Sequence, residues 1–141
     1  MANDGNDFAR SMSIATSGLR AQAGRMRVIS ENIANADSTA QSASGDPYRR
    51  KIPTFSAELD RTLDAKVVVL GRVKPDQSAF RIKHEPSNPA ADAAGNVKYP
   101  NVNTLVEMTD MREAQRSYEA NLNIISATRR MIQRTLDILK A

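Results

Sequence analysis

The stretch from Asn101 to Lys140 constrains this chain most. Apolar or small residues recur there at Met111, Ala114, Tyr118, Leu122, Ile125, Ile132, Leu136 and Leu139, at steps of three, four or seven. That spacing is one face of an α-helix. No Gly or Pro follows Pro100 to interrupt it. Thr104-Leu105-Val106-Glu107 reads as a capping box, with Glu107, Asp110 and Glu113 near the positive end of the helix dipole. Arg129, Arg130, Arg134 and Lys140 crowd the other end, where cations are favoured.

A second line of residues, Ala120, Ile124, Ala127, Met131 and Ile138, keeps helical spacing about 140° around the same helix. Asn121, Thr128 and Thr135 lie between the two lines on one side, and Glu119, Arg130, Arg134 and Asp137 gather on the other. A helix packed on one partner needs a single stripe, so this one has room for two. Roughly 37 residues at 1.5 Å each give a helix ~55 Å long. A compact body of this mass is only about 35–40 Å across, so the helix is expected to reach beyond it and to find a neighbour there.

The other end of the chain has the same design. From Phe8 to about Asn35 one stripe runs through Phe8, Met12, Ala15, Leu19, Met26, Ile29 and Ile33, with Gln22 the polar residue in its register. Ile14, Ala21 and Val28 form a second stripe. Two long amphipathic helices at opposite ends of a chain most simply pair as an antiparallel coiled coil. The expected contacts are Leu19, Met26, Ile29 and Ile33 against Tyr118, Leu122, Ile125 and Ile132. The line through Ile124, Ala127 and Met131 is left over for a contact between subunits.

Between the helices the pattern changes. Asp37 to Pro47 is small, polar and Gly/Pro-ended, a loop. Three short runs have strand character: Tyr48 to Phe55, with Pro53 marking an edge; Val67 to Val73, with Gly71 a candidate bulge; and Ala79 to His84. Lys74 to Ser78 would turn the last two into a hairpin. Ala57 to Lys66 reads equally as a short helix or a loop, and Pro86 to Pro100 as an aperiodic loop. The expected fold is therefore mainly α with a small β insert. Residues 1–35 form the first helix, 36–100 the loop and β-rich insert, and 101–141 the second helix.

Composition excludes much. No run of about 18 apolar residues is present to cross a membrane. The acidic start MANDGNDF is unlike a secretory signal. The chain has no Cys and one His, His84, in the charged run Lys83-His84-Glu85. That leaves no thiol chemistry, no soft-metal site and no ready triad, and no Gly-rich phosphate loop is present either. No catalytic, metal or cofactor residues are expected, and no enzyme. The net charge of +4 divides as +1, +2 and +1 over residues 1–35, 36–100 and 101–141. With aromatics at only 4%, that spread argues against a nucleic-acid surface. Arg49-Arg50-Lys51 is the one basic cluster. It reads as an edge-strand guard, or else as a contact for an anionic surface or for the acids of a neighbouring subunit.

Ser17-Gly18-Leu19-Arg20-Ala21-Gln22, Arg25-Met26 and Ile29-Ser30-Glu31-Asn32-Ile33-Ala34-Asn35-Ala36 resemble the N-terminal signature of bacterial flagellar rod and hook proteins. In that family an Asn-x-Ala-Asn motif closes the first helix before a Thr-bearing loop. Asn32, Ala34, Asn35 and Thr39 match it. Asn at such a helix end can take a left-handed cap and bond loop backbone, and Ala34 allows close packing. Tyr48 after a longer Ser/Ala/Gly insert, Tyr99-Pro100-Asn101, and Tyr118-Glu119-Ala120-Asn121 resemble the proximal-rod member. The resemblance implies a non-enzymatic structural subunit of the basal-body rod, polymerising helically through its terminal helices in the periplasm. It implies export by the flagellar type III apparatus without a cleaved signal peptide. The implied partners are copies of itself, the rod proteins FlgB, FlgF and FlgG, and FliE, with no nucleic acid and no direct membrane insertion. The competing reading from another class is a cytosolic helical adaptor or nucleic-acid-binding protein.

Overall fold

A computed structural model describes residues 4–43 and 45–140, with side chains from Asp7 onward. Two long helices, α1 (Asp4–Ala34) and α2 (Thr104–Lys140), pack against each other, with short antiparallel strands between them in sequence. The strands are β1 (Lys51–Ile52), β2 (Phe55–Asp60), β3 (Ala65–Leu70), β4 (Lys74–Pro75), β5 (Arg81–His84) and β6 (Asn96–Tyr99). No described helix is long and apolar enough to cross a membrane.

The chain forms two compact units, and each helix contributes to both. The first contains the described residues through Met26, Thr54–Arg72 and those from Glu113 on; the second contains Arg27–Pro53 and Val73–Arg112.

In the first unit β2 and β3 form a six-pair hairpin, from Phe55↔Leu70 to Asp60↔Ala65. The consecutive valines of β3 suit a pleated surface. Asp60 shapes the turn, its Oδ1 accepting from the Thr62 and Leu63 amides at 2.9 and 3.4 Å. Asp64 completes the turn at φ 48°, a left-handed position that Asp tolerates. The hairpin is fastened to α1 at two points. Arg10 Nε donates to the Leu63 carbonyl at 2.6 Å, and the Val68 amide donates to Ser17 Oγ at 3.1 Å. On α1, Ala15 and Ala21 are buried. The small side chains let hairpin and helices approach closely.

This hairpin corrects the sequence expectation. The Val67–Leu70 run pairs backward with β2 across residues 61–64, not forward with Ala79–His84. Ala57 to Lys66, undecided between helix and loop, is strand, turn and strand. Pro53 splits the expected Tyr48–Phe55 strand into β1 and the start of β2, because it offers no amide to a ladder.

In the second unit β1 pairs with β4. β5 pairs with β6 in the register Arg81↔Tyr99 to His84↔Asn96. β6 lies inside the stretch expected to be an aperiodic loop. Its alternation is short but real: Val97 and Tyr99 point inward and pack with Ala90. The turn before it is built by Asp92, whose Oδ1 accepts from the Ala94 and Asn96 amides, both at 2.9 Å. Gly95 closes it at φ 79°.

The caps also differ from expectation. Asn103, not Thr104, caps α2: its Oδ1 accepts from the Leu105 and Val106 amides at 3.1 and 3.4 Å. Glu107 therefore sits one residue too far along to reach back, so there is no capping box. Among the described residues only Asp64 and Gly95 have positive φ, so Asn32 and Asn35 are not left-handed caps. Asn32 lies within the last turn of α1, and Asn35 caps it with its side chain, Nδ2 donating to the Glu31 carbonyl at 2.8 Å.

Gly95→Ala should be poorly tolerated. The added Cβ would sit at a left-handed φ, 2.9 Å from His84 Cε1 and 3.0 Å from Pro86 Cγ. A loss of about 1–3 kcal/mol is expected, read as a lowered midpoint in chemical denaturation.

Candidate functional site

The second unit is organised on a buried carboxylate. Glu107, in the first turn of α2, is 1% exposed, and Asn32, in the last turn of α1, is 0% exposed. A charge with no water needs partners, or its desolvation dominates. Glu107 Oε1 accepts from Arg50 Nε at 2.6 Å, and its Oε2 accepts from Asn32 Nδ2 at 3.0 Å. Arg50 also reaches Asp76 at 3.4 Å and Asp110 at 3.8 Å.

Asn32 makes four bonds. Its Nδ2 donates to Glu107 and to the Lys51 carbonyl at 2.8 Å. Its Oδ1 accepts from Tyr48 Oη at 2.8 Å and the Lys51 amide at 2.9 Å. One amide side chain thus ties the end of α1, the start of α2 and the segment leading into β1. Asn101 continues the network, its Oδ1 accepting from the Arg50 amide at 2.8 Å and its Nδ2 donating to Ser78 Oγ at 2.9 Å.

Electrostatics follow from this packing. Burial first, then the Glu31 and Glu107 carboxylates, push the Tyr48 phenol up to about 12, so it stays a proton donor to Asn32 across the neutral range. Burial works against the Arg50 charge, but its bonds to Glu107 and Asp76 outweigh that and raise its pKa. Asp76 is held below the usual carboxylate range by the Ser78 backbone and hydroxyl, and by Arg50. The network satisfies charges and presents no nucleophile. Among the described residues no group of His, Cys, Asp or Glu is placed to hold a metal. His84 is exposed on β5, 3.4 Å from Asn96 Oδ1.

The basic cluster is neither a guard nor a free surface, and this corrects both sequence readings. Arg49 donates to the Asp76 and Ser78 carbonyls at 2.9 and 3.1 Å and lies 4.1 Å over the Phe80 ring. Arg50 is held by Glu107, and Lys51 pairs with Glu31. All three fasten their own subunit.

The second set of sequence candidates lies on the helices. The line of lower exposure on α2 runs through Glu107, Met111, Ala114, Tyr118, Asn121, Ile125, Thr128 and Ile132, at alternating steps of four and three. Asn121 and Thr128 are on it, and Leu122 is off it at 47% exposure. In the first unit Gly18 stands against the Asn121 side chain, where an added Cβ would meet it at 2.9 Å. Arg25 pairs with Glu113 at 3.5 Å. On α1, Ile29 is buried, while Leu19, Met26 and Ile33 are half-buried. Gln22 Oε1 is buried with no hydrogen-bond partner. Ile124 and Met131 are each 48% exposed, and Ala127 is half-buried.

Of the motif residues, Asn32 and Tyr48 meet in the junction, and Asn35 and Ser38 bond each other at 3.3 Å. Thr39 and Tyr118 are half-buried. Glu119 and Ala120 are exposed, and so is Ala34, which is not a close-packing site. The sequence reading passed over Glu107 and Arg50 as junction residues. A signal was available: Glu107 stands four residues before Met111, in step with Ala114 and Tyr118, so an acid occupies a core register.

Asn32→Leu should therefore cost far more than Asn35→Leu. The first orphans the buried Glu107, Tyr48 and Lys51 groups, at about 1–3 kcal/mol each. The second removes one cap, worth about 1 kcal/mol. Chemical denaturation of the two variants should rank them in that order, and equal losses would contradict the junction.

Comparison with known proteins agrees with this architecture. Residues 12–40 match the family described as flagella basal body rod protein, and residues 93–138 match the C-terminal family of flagellar basal body rod FlgEFG proteins. The flagellar basal-body rod protein FlgC of Agrobacterium fabrum is 52% identical, over 91% of this chain and 92% of its own length. FlgC of Aquifex aeolicus is 36% identical over 95% and 98%. FlgC of Salmonella typhimurium is 38% identical over 89% and 92%. Asn32, Asn35 and Glu107, with most of both helices, fall within the two family matches, and the chain belongs to the FlgC family of flagellar basal-body rod proteins, structural components of the rod.

Proposed function

We propose that this rod subunit polymerises helically in the proximal part of the rod through its two terminal helices. In this reading it lies in the periplasm and arrives through the flagellar type III export apparatus without a cleaved signal peptide. Its neighbours are further copies, the rod proteins FlgB, FlgF and FlgG, and FliE. It carries out no catalysis.

The reading rests first on the apolar residues that α2 leaves uncovered. Ile124, Met131 and Ile138 recur every seven residues at 48%, 48% and 75% exposure. Burying such side chains is worth roughly 1.5–3 kcal/mol each, so this face favours association. Within the subunit the helices pair antiparallel in a coiled-coil manner. In the first unit, going from Gly18 to Arg25 on α1 corresponds to going back from Asn121 to Glu113 on α2. Tyr118, Ile125 and Ile132 supply the α2 side of the pairing. Leu19, Met26, Ile29 and Ile33 supply the α1 side. Residues 1–35 and 101–141 are then the assembling core, and 36–100 the insert that ties their ends.

Two experiments test this. In the full chain, Gly18→Cys with Asn121→Cys should form an intramolecular disulfide, because a Cβ at Gly18 lies 3.0 Å from Asn121 Cγ, whereas Gly18→Cys with Ile138→Cys should not; the reverse result excludes the antiparallel register. Ala127→Glu places a charge between Ile124 and Met131. Export should persist while recovery in isolated basal bodies falls about tenfold or more. Normal incorporation would show this face to be free.

A further inference from the structure

The β2–β3 hairpin makes no use of the outer side of β2. Among the described residues β2 has β3 as its only strand neighbour, and every β2 residue except Asp60 is exposed. Phe55 and Leu59, at 42% and 57% exposure, are apolar, and both charges on the strand, Glu58 and Asp60, are acidic. An open apolar edge of this kind is an association site unless something blunts it. The two acids do so against its own kind. Antiparallel pairing of two β2 strands would bring like charges together across the ladder, which is unfavourable.

The same acids fit the end of α2. Over its last turns Arg129, Arg130, Arg134 and Lys140 stand against the single acid Asp137. Arg134 lies three residues after Met131 and four before Ile138, at the charged border of the exposed apolar line. A strand edge of apolar and acidic groups and a helix face of apolar and basic groups complement each other in hydropathy and in charge. The two surfaces differ, so a contact between them is heterologous. Such contacts build open assemblies, whereas a patch that meets itself closes into a dimer.

We propose that the β2 edge of one subunit docks on the Ile124, Met131 and Ile138 line of α2 in a second copy, Glu58 facing Arg134. The proposal rests on the rod reading above and adds to it which surface covers the helix. The natural absence of cysteine makes crosslinking clean. Cells co-expressing two single-cysteine chains, Leu59→Cys and Met131→Cys, should yield basal bodies that form a mixed disulfide dimer on mild oxidation. Each variant alone should not, nor should Ile82→Cys with Met131→Cys. In a second arm, Glu58→Arg and Arg134→Glu should each lower incorporation about tenfold, and the double variant should restore it to within about twofold.

No Leu59–Met131 dimer, capture of a different rod chain by either cysteine, or a double variant no better than the singles overturns the contact. Absence of the wild-type chain from the same basal bodies overturns the rod reading as well, so the two failures are distinguishable.

Discussion

A carboxylate in a dry place sets the terms for the second unit. Glu107 has one oxygen on Arg50 and the other on Asn32, and neither partner is replaceable by water. A buried ion pair of this sort adds little net stability, because desolvation offsets most of the Coulomb gain. It acts by exclusion. Sliding either helix by one residue, or misplacing the segment before β1 that carries Arg50, leaves a charge unpaired at a cost of about 3–5 kcal/mol. Apolar stripes alone tolerate slippage more readily than this.

The junction also explains why a short insert can be orderly with so small a core of its own. Beyond Ala90, Val97 and Tyr99, much of what orders the second unit is polar. Arg81 donates to the Ala36 and Pro100 carbonyls at 2.8 and 2.9 Å. Tyr99 Oη donates to Glu85 at 2.8 Å, and Lys83 lies 4.3 Å from the Tyr99 ring centre. Arg81 and Lys83 thus engage the chain's own backbone carbonyls and an aromatic ring.

Exposure is distributed unevenly along α2. Glu107, Ala114 and Thr128 are buried, while Leu136, Ile138 and Leu139 are open. A free monomer gains nothing from open leucines and isoleucines at the end of a helix, and large apolar patches promote association. In a structural rod component the same residues are unspent burial. The terminal helices thus divide their surfaces between residues that complete the subunit and apolar residues left open.

The sequence by itself determined the two long helices at the ends of the chain, because a 3.6-residue period over roughly thirty residues is hard to produce otherwise. It determined the family through Asn32, Asn35 and the Tyr118 run. It could not decide strand pairing. Val67–Leu70 suits any neighbour, and only the chain's return across Asp64 chose β2. Nor could it list every member of the covered line of α2, although Met111, Ala114, Tyr118, Ile125 and Ile132 belong to it. Stripe residues rank by hydropathy in a sequence, whereas packing ranks them by angle, so Asn121 and Thr128 lie on the covered line and Leu122 stays out. The role of Glu107 was likewise tertiary. An acid near a helix start satisfies the dipole wherever it points, and only the arrival of Arg50 and Asn32 from distant segments made burial of its charge affordable.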